Sequence, residues 1–474
     1  MSRFLSQLRE GDTEARLDAA IALAQMGQIA NQAFSSLISA LSDDDAQVRA
    51  TVAYAIGQIG VSDGTAVLAL VKSLSDVDWR VRRDAADALA KIGVPPDPNQ
   101  RLEVVSSLIR ALEDDNPQVR ANIANVLSGI GGPAKQAVPT LIQALHDGDV
   151  QVRANTADAL GKIGQPLEQI LLALIYALDD NQVLVRANAA DALGGIGQPA
   201  KQSVPALINA VNDEDTWVRI NVVMALGLIK EPTDTVVTCL ASTLDDADQR
   251  VRSFSAIGLG SIGQAAKKAV PALIRVLDDP VTEVCANAAE ALGLIGYPSK
   301  QAVSGLLKSL QSQYAQVRGN ATGALGRIGN PTKEIVFALM KRLNDSDSRV
   351  CRVATIALGR IGKPAEPAIP RLIQKLRSDD IQIRGLSAIA LGNIGAVAAP
   401  AVPDLIRTLN DQNEKVRGMA AVALGGIGEP ARSAVWALIP MLNDESEQIR
   451  GFTAQALEAI GTVEALSALN RYRW

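Results

Sequence analysis

Arginine and aspartate side chains recur along this sequence at a fixed distance, and they are the groups best suited to chemistry. An Arg that ends a V-R or related pair returns every 33 residues, with a single interval of 38. An Asp stands six residues before that place in eleven of the fourteen copies. We name the place of the Arg the ladder position. It is occupied by Arg16, Arg49, Arg82, Arg120, Arg153, Arg186, Arg219, Arg252, Cys285, Arg318, Cys351, Arg384, Arg417 and Arg450.

Two kinds of chemistry are open to these rows of charge. A comb of guanidinium groups could bind phosphates, whereas the carboxylates of successive turns could bind the guanidinium of their own or a neighbouring copy. We expect the second arrangement, because the regular aspartates would neutralise the arginines. The predicted structural ladder includes Asp147, Arg153, Asp180, Arg186, Asp213 and Arg219.

The residues on which most catalytic sites depend are scarce. His146 is the only histidine, and no cluster with the spacing of metal ligands surrounds it. A Ser-His-Asp triad is therefore unavailable, and the chain has no G-x-x-x-x-G-K-[ST] loop for phosphate binding. We expect no catalytic residue, no metal site and no cofactor, and the sequence favours a protein that is not an enzyme.

Composition argues against two further classes of partner. An isoelectric point of about 5.3 and an aromatic content of 3% are not typical of nucleic-acid binding. The chain has no run of eighteen apolar residues and no signal-peptide core, so we expect a cytoplasmic protein that binds no membrane. Three cysteines without a disulfide framework agree with a reducing compartment.

Each copy of the repeat predicts two helices. In residues 151–164 the apolar side chains recur at steps of three and four, which is typical of an amphipathic helix that we name helix B. An Asp, Asn or Ser four residues before the ladder position in eleven copies predicts its N-cap, and a Gly eleven residues after it in thirteen copies predicts its end, with Lys230 as the exception. A second amphipathic segment, such as residues 138–145, predicts helix A of the next copy.

A constant period of this length is typical of a solenoid, in which each unit buries its apolar face against its neighbours. The predicted fold is therefore all-α, an α-solenoid of about 14 helix hairpins that forms one array over residues 1–474. A five-residue insertion near residues 94–101 is expected to lengthen a surface loop, and incomplete capping helices are expected at both ends.

One further pattern links the repeats to a known family. Pro139, Pro205, Pro271, Pro370 and Pro403 each stand fourteen residues before the next ladder position, with the Asp place between them. This arrangement resembles HEAT repeats, and the I-G ending with its short period resembles the HEAT-like repeats of phycobilisome lyases, the E/F-type phycobilin lyases. The resemblance covers nearly the whole chain and implies an α-solenoid. For activity it implies a lyase or a chaperone-like factor that acts on phycobiliproteins, although no bilin-binding residue can be transferred by motif.

The copies differ from one another two, five and nine residues after the ladder position, on the side of helix B opposite its apolar stripe. In copies three to six these places are mostly polar, as in Asp84, Asn122, Asn155 and Asn188, which predicts a hydrophilic groove floor on a concave face. Elsewhere they are apolar, which predicts a partner-binding surface. Its members are Met224, Leu228, Phe254, Ile257, Val353, Ile356, Leu386, Ile389, Met419, Val422 and Phe452. The alternative is that curvature of the array buries these side chains within the chain.

Charge adds an orientation to this surface. Residues 1–299 contain 24 Lys and Arg against 36 Asp and Glu, whereas residues 300–474 contain 22 against 15. The sequence favours a non-enzymatic scaffold that binds protein partners through the concave helix B face. The alternatives are the phycobilin-lyase-like or chaperone-like factor and a descendant of the sensor part of a regulatory ATPase. The identity of the partner and the oligomeric state stay open.

Overall fold

The computed structural model describes residues 2–60, 63–93 and 97–472, and in this part of the chain regular structure is helical throughout. The chain divides into two compact units, Met1–Glu231 and Pro232–Trp474. Each unit is a row of helix hairpins, which confirms the prediction of an all-α solenoid. Because the contacts divide the chain in two, the single array over residues 1–474 stays a prediction.

The first unit contains fourteen α-helices in its described residues. They are α1 (Ser2–Glu10), α2 (Thr13–Met26), α3 (Phe34–Ala40), α4 (Ala46–Ile59), α5 (Gly64–Ser73), α6 (Trp79–Ile92), α7 (Pro98–Ala111), α8 (Pro117–Ile130), α9 (Val138–Ala144), α10 (Val150–Ile163), α11 (Leu167–Ala177), α12 (Val183–Ile196), α13 (Val204–Ala210) and α14 (Thr216–Ile229).

The second unit continues the alternation up to residue 472. Its helices are α15 (Asp234–Ser242), α16 (Gln249–Ile262), α17 (Val270–Arg275), α18 (Thr282–Ile295), α19 (Lys300–Ser309), α20 (Ala315–Arg327), α21 (Lys333–Arg342), α22 (Ser348–Ile361), α23 (Ile369–Lys375), α24 (Ile381–Ile394), α25 (Val402–Thr408), α26 (Glu414–Ile427), α27 (Val435–Leu438), α28 (Glu447–Ile460) and α29 (Val463–Tyr472). The even-numbered helices of both units are the B helices.

The ends of the B helices follow the sequence signals. In α10, the Asp149 carboxylate accepts hydrogen bonds from the amides of Gln151 and Val152, and Gly164 ends the helix at φ 66°. Lys230 ends α14 in the same left-handed region, at φ 55°. It is the only non-glycine residue with a positive φ among the described residues. Gly329 does not end its helix as the sequence predicts, because α20 already ends at Arg327 and this glycine has no positive φ.

The insertion is only partly a loop. Residues 94–96 lie outside the described residues, but Pro98 begins α7, so residues 98–101 are helical. The expected longer surface loop is therefore wrong for this part of the insertion: Asp97 caps the helix by accepting a hydrogen bond from the amide of Gln100.

Small side chains set the distance between successive B helices. A Cβ on Gly161 of α10 would lie 2.5 Å from the Cβ and 2.9 Å from the Cα of Ala192 on α12. Gly392 of α24 meets Ala423 of α26 in the same register, with 2.7 Å to its Cα. The same Gly–Ala contact occurs at nine steps, so neighbouring B helices run parallel, and backbone contact replaces side-chain packing along this line.

Arginine side chains join each repeat to the next. Arg153 donates from Nη1 to the main-chain oxygen of Asp147 in its own turn at 2.9 Å, and from Nε and Nη2 to the Asp180 carboxylate of the following turn at 2.8 and 3.0 Å. That carboxylate also accepts the amide hydrogen of Gln182 at 2.8 Å. One guanidinium thus fixes two turns through three hydrogen bonds, and the charge-assisted bidentate geometry is a strong one.

The same arrangement returns along both units. Arg186 binds Asp213, and Arg219 donates to the main-chain oxygen of Asp213 at 3.0 Å. Further bridging pairs are Arg16–Asp43, Arg49–Asp76, Arg82–Asp114, Arg120–Asp147, Arg252–Asp279, Arg318–Asp345, Arg384–Asp411 and, at a longer 3.8 Å, Arg417–Asp444.

Where the ladder arginine is missing, its partner is missing as well. Cys285 and Cys351 are followed 27 residues later by Ser312 and Ser378 instead of Asp. The Cys285 thiol donates to the main-chain oxygen of Asp279 at 2.9 Å, so the bond within the turn is kept while the bond to the next repeat is lost. A cavity of about 360 Å³ lined by Cys285 and Ser312 lies at this step.

Acid should weaken the ladder. The pKa of Asp76, Asp345 and Asp411 is lowered chiefly by the hydrogen bond from the ladder arginine; for Asp147, Asp180 and Asp213, burial opposes the arginine but is outweighed. A carboxyl group with a lowered pKa stabilises the fold above its unfolded pKa, about 3.9, and loses that contribution as the pH falls.

We therefore expect the urea midpoint of the full chain to be nearly constant from about pH 7 to 5 and to fall below about pH 4. Burial raises the pKa of Asp191, which acts in the opposite sense, but this is one group against six. A midpoint that is unchanged or higher at about pH 3 would contradict the ladder as a source of stability.

A substitution at the helix contact should be costly. We expect Gly161→Ala to lower the free energy of unfolding by about 1–3 kcal/mol, because the new methyl group meets the Ala192 backbone. Gly129→Ala in α8 is the matched control, since a Cβ there meets nothing within 4 Å, and it should stabilise the chain by up to about 1 kcal/mol. Equal effects in urea unfolding would show that the helices separate without cost.

Restoring the missing rung should reveal a coupling. Cys285→Arg and Ser312→Asp together place both partners around a cavity that has room for a guanidinium. In a double-mutant cycle we expect a favourable coupling of about 0.5–3 kcal/mol, whereas each single change leaves a charge unpaired. Strictly additive effects on unfolding would mean that this step cannot form the bridge.

Candidate partner-binding face

The predicted apolar surface lies on the B helices, and none of its members is fully buried. Leu228, Ile257, Ile356 and Val422 are exposed, with 51%, 44%, 43% and 37% of their surface accessible. Seven others are half-buried: Met224, Phe254, Val353, Leu386, Ile389, Met419 and Phe452. In the second unit Ile356, Ile389 and Val422 occupy the same place on α22, α24 and α26, so they form one row across three adjacent helices.

The place two residues after the ladder position is used for packing between repeats. A Cβ on Gly385 would collide with the Met419 sulfur, and one on Gly418 would lie 3.1 Å from the Phe452 ring. The glycines therefore make room for the large side chain of the following repeat. Part of the Met419 and Phe452 surface is buried against neighbouring repeats, in agreement with the alternative prediction. The rest of each side chain is accessible to solvent.

In other repeats an asparagine at this place joins neighbouring repeats through a hydrogen bond. The Asn155 Nδ2 donates to the main-chain oxygen of Ala121 at 2.9 Å, and that of Asn188 to Ala154 at 3.0 Å. Asn122 reaches Arg83 at 3.3 Å. The polar sequence predicted a groove floor at these amides, but they bind the preceding repeat. Their recurrence in one register was the signal that could have shown this role.

A cavity opens beside the apolar row at the end of the second unit. Its volume is about 400 Å³, and Ile389, Met419, Val422 and Phe452 form its apolar wall together with Ile449. Polar side chains at the starts of α26 and α28, including Lys415 and Gln448, form the rim. An apolar floor with a few polar groups at the edge is typical of a site that takes apolar side chains of a ligand.

The first unit has a larger but more polar cavity of about 750 Å³. Arg83 and Asp84 line it as an ion pair of 2.7 Å, and Asp87 binds Lys91 at 2.7 Å. The Lys91 ammonium also lies 5.3 Å from the centre of the Tyr54 ring. Its charged groups are thus already bound to one another, which leaves less to offer a ligand than the apolar row does.

The described residues offer little support for metal-ion or thiolate chemistry. No group of His, Cys, Asp and Glu there could hold a metal ion. Burial raises the pKa of the Cys239 thiol to about 11, so the reactive thiolate is scarce near neutral pH. No helix among the described residues has both the length and the apolar character needed to span a membrane.

Comparison with solved structures shows the fold. The chain is similar to importin beta, with a TM-score of 0.65 at 15% identity over 99% of this chain and 76% of that one. It is also similar to yeast importin-beta (Kap95p), with a TM-score of 0.57 at 15% identity over 99% and 74%. A structure of Kap95p with RanGDP matches at 0.58 and 13% identity, over 99% and 77%. At these identities the likeness concerns the fold alone.

A search of curated proteins finds no match. The family model of HEAT repeats matches in nine overlapping stretches: residues 1–90, 34–106, 67–135, 105–173, 171–243, 237–309, 303–372, 369–435 and 402–473. Neither this model nor these structures supports the finer resemblance to phycobilin lyases. Since the matches run from end to end, the chain belongs to the HEAT-repeat family.

Proposed function

We propose that this protein is a non-enzymatic scaffold that binds a protein partner on the helix B face of its second unit. The observation that carries the proposal is the row Ile356, Ile389 and Val422, which lies across α22, α24 and α26 and ends in the cavity beside Phe452. Contiguous apolar side chains on a surface that meets water mark interaction sites.

The size of the row suits a segment of a folded protein or a peptide. Packed helices lie about 8–10 Å apart, so three B helices present apolar side chains over roughly 20 Å. Apolar anchors that fill a pocket supply most of the binding energy at such interfaces, while the rim mainly excludes water. Met419 suits this role because its unbranched thioether adapts to the shape of a ligand.

Two further points support a binding role over a catalytic one. His146, the only histidine, lies in a turn and contacts the Tyr176 ring of α11, with ring centres 5.0 Å apart and the planes tilted by 59°. One structural neighbour is Kap95p in a study of its binding to RanGDP, so a solenoid of this fold binds a protein ligand there. No observation favours lyase chemistry or a phycobiliprotein partner, which the sequence resemblance alone implied.

Charged substitutions in the row should abolish partner capture. We expect the double variant Ile356→Asp and Val422→Asp to capture about one tenth or less of the partner that the unchanged chain captures. Each substitution places a carboxylate in an apolar interface. The measurement is a pull-down with the purified full-length chain from lysate of its native cells, quantified by mass spectrometry.

Phe337→Asp is the matched control. Phe337 is an apolar side chain of the same unit, 53% exposed, but it lies on α21, an A helix. It should leave the captured protein unchanged. Equal capture by the double variant, or a loss only with Phe337→Asp, would place the interface elsewhere.

A further inference from the structure

We infer that the segment bound at this face is amphipathic and acidic: large apolar side chains enter the cavity beside Phe452, and neighbouring carboxylates bind Arg327 and Arg360. This inference rests on the proposed function and names the chemistry of its partner. It follows from which charged groups on this face are already bound and which are not.

Most arginines near the row have carboxylate partners within the chain. Arg318 binds Asp345 at 2.6 Å, Arg349 binds Asp347 at 2.7 Å, and Arg352 binds Asp380 at 2.9 Å. Arg327 and Arg360 are exposed, and neither has an ion pair or a side-chain hydrogen bond with any residue that the structure describes. Their charge is therefore available for a partner, as is that of the exposed Lys415 on the cavity rim.

These two arginines belong to the same face as the apolar row. Each stands nine residues after the ladder position, on the adjacent helices α20 and α22. Arg360 follows Ile356 by four residues, so the two side chains are neighbours on one side of α22. The guanidinium groups therefore form a basic edge to the row at the C-terminal ends of α20 and α22.

The opposite edge is acidic on balance, with two carboxylates against the single ammonium group of Lys415. Glu414 and Glu447 begin α26 and α28 and are exposed. Because successive B helices run parallel, the basic edge and the acidic edge lie at different ends of the helices. A bound segment is thereby oriented, with its carboxylates toward α20 and α22 and its apolar anchors toward α26 and α28.

The net charge of the segment that contains α20 and α22 favours the same acidic partner. Residues 300–400 contain 15 Lys and Arg against 6 Asp and Glu, a net charge of +9, in a chain whose net charge is −5. A positive field of this kind raises the rate of encounter with an acidic ligand and disfavours a basic one. A nucleic acid would also be attracted, but the row and the cavity offer it no exposed aromatic ring for stacking: Phe452, the one ring in the cavity wall, is half-buried against Gly418.

Two designed peptides test the inference with the full-length chain. Both are helical over about eight turns, long enough to reach from α28 to α20, and have the same Leu and Phe stripe, but one has Glu and the other Lys at all polar places. We expect fluorescence anisotropy at about 0.1 M salt to show the Glu peptide binding at least about tenfold more tightly than the Lys peptide. In the variant Arg327→Glu with Arg360→Glu this preference should be lost or reversed.

Val422→Asp should weaken binding of both peptides, and Phe337→Asp should change neither. If the two peptides bind equally and Val422→Asp abolishes the binding of both, the inference of an acidic partner is wrong, but the proposed function stands. Binding of neither peptide would end the inference, while the pull-down would still decide the proposed function separately. Tighter binding of a single-stranded oligonucleotide than of the Glu peptide would also overturn it.

Discussion

The clamp made by each ladder arginine is the contact on which the architecture depends. A guanidinium has five donors in a rigid plane, so Arg153 can hold the main chain of its own turn and the Asp180 carboxylate of the next turn at the same time. A lysine could not make this fork. Repetition of one clamp at a constant interval fixes the register of neighbouring hairpins, which in turn brings the same places of every B helix together.

That register explains why a single position can do different work along the chain. The place two residues after the ladder position meets the preceding repeat in several copies, by an amide in Asn188 and by packing on glycine in Met419 and Phe452. The place five residues after it is less used inside the chain: Ile257, Ile356 and Val422 are exposed there, and Ile389 is half-buried. The supporting contacts and the proposed binding row are thus separated by one turn of helix.

Much of this could be predicted from the sequence because it is periodic. The caps, the helix ends, the two-helix unit and the pairing of Asp with Arg each follow from residue types that return at the same distance. The direction of the clamp could not be predicted, since spacing alone does not say which of two turns the guanidinium reaches. The role of Asn155 was missed for the same reason: its bond partner, Ala121, stands 34 residues earlier and has no distinctive side chain. The partial burial of Leu386 depends on neighbouring side chains and also required coordinates.

The central proposal is that protein partners bind to the row on α22, α24 and α26. Site-specific photocrosslinking in native cells tests this most directly, with a photoreactive phenylalanine analogue at Ile356, Ile389, Val422 or Phe337. The account predicts adducts with the same partner from the three B-helix places and none from Phe337. Adducts from Phe337 alone, or from none of the three, would contradict it.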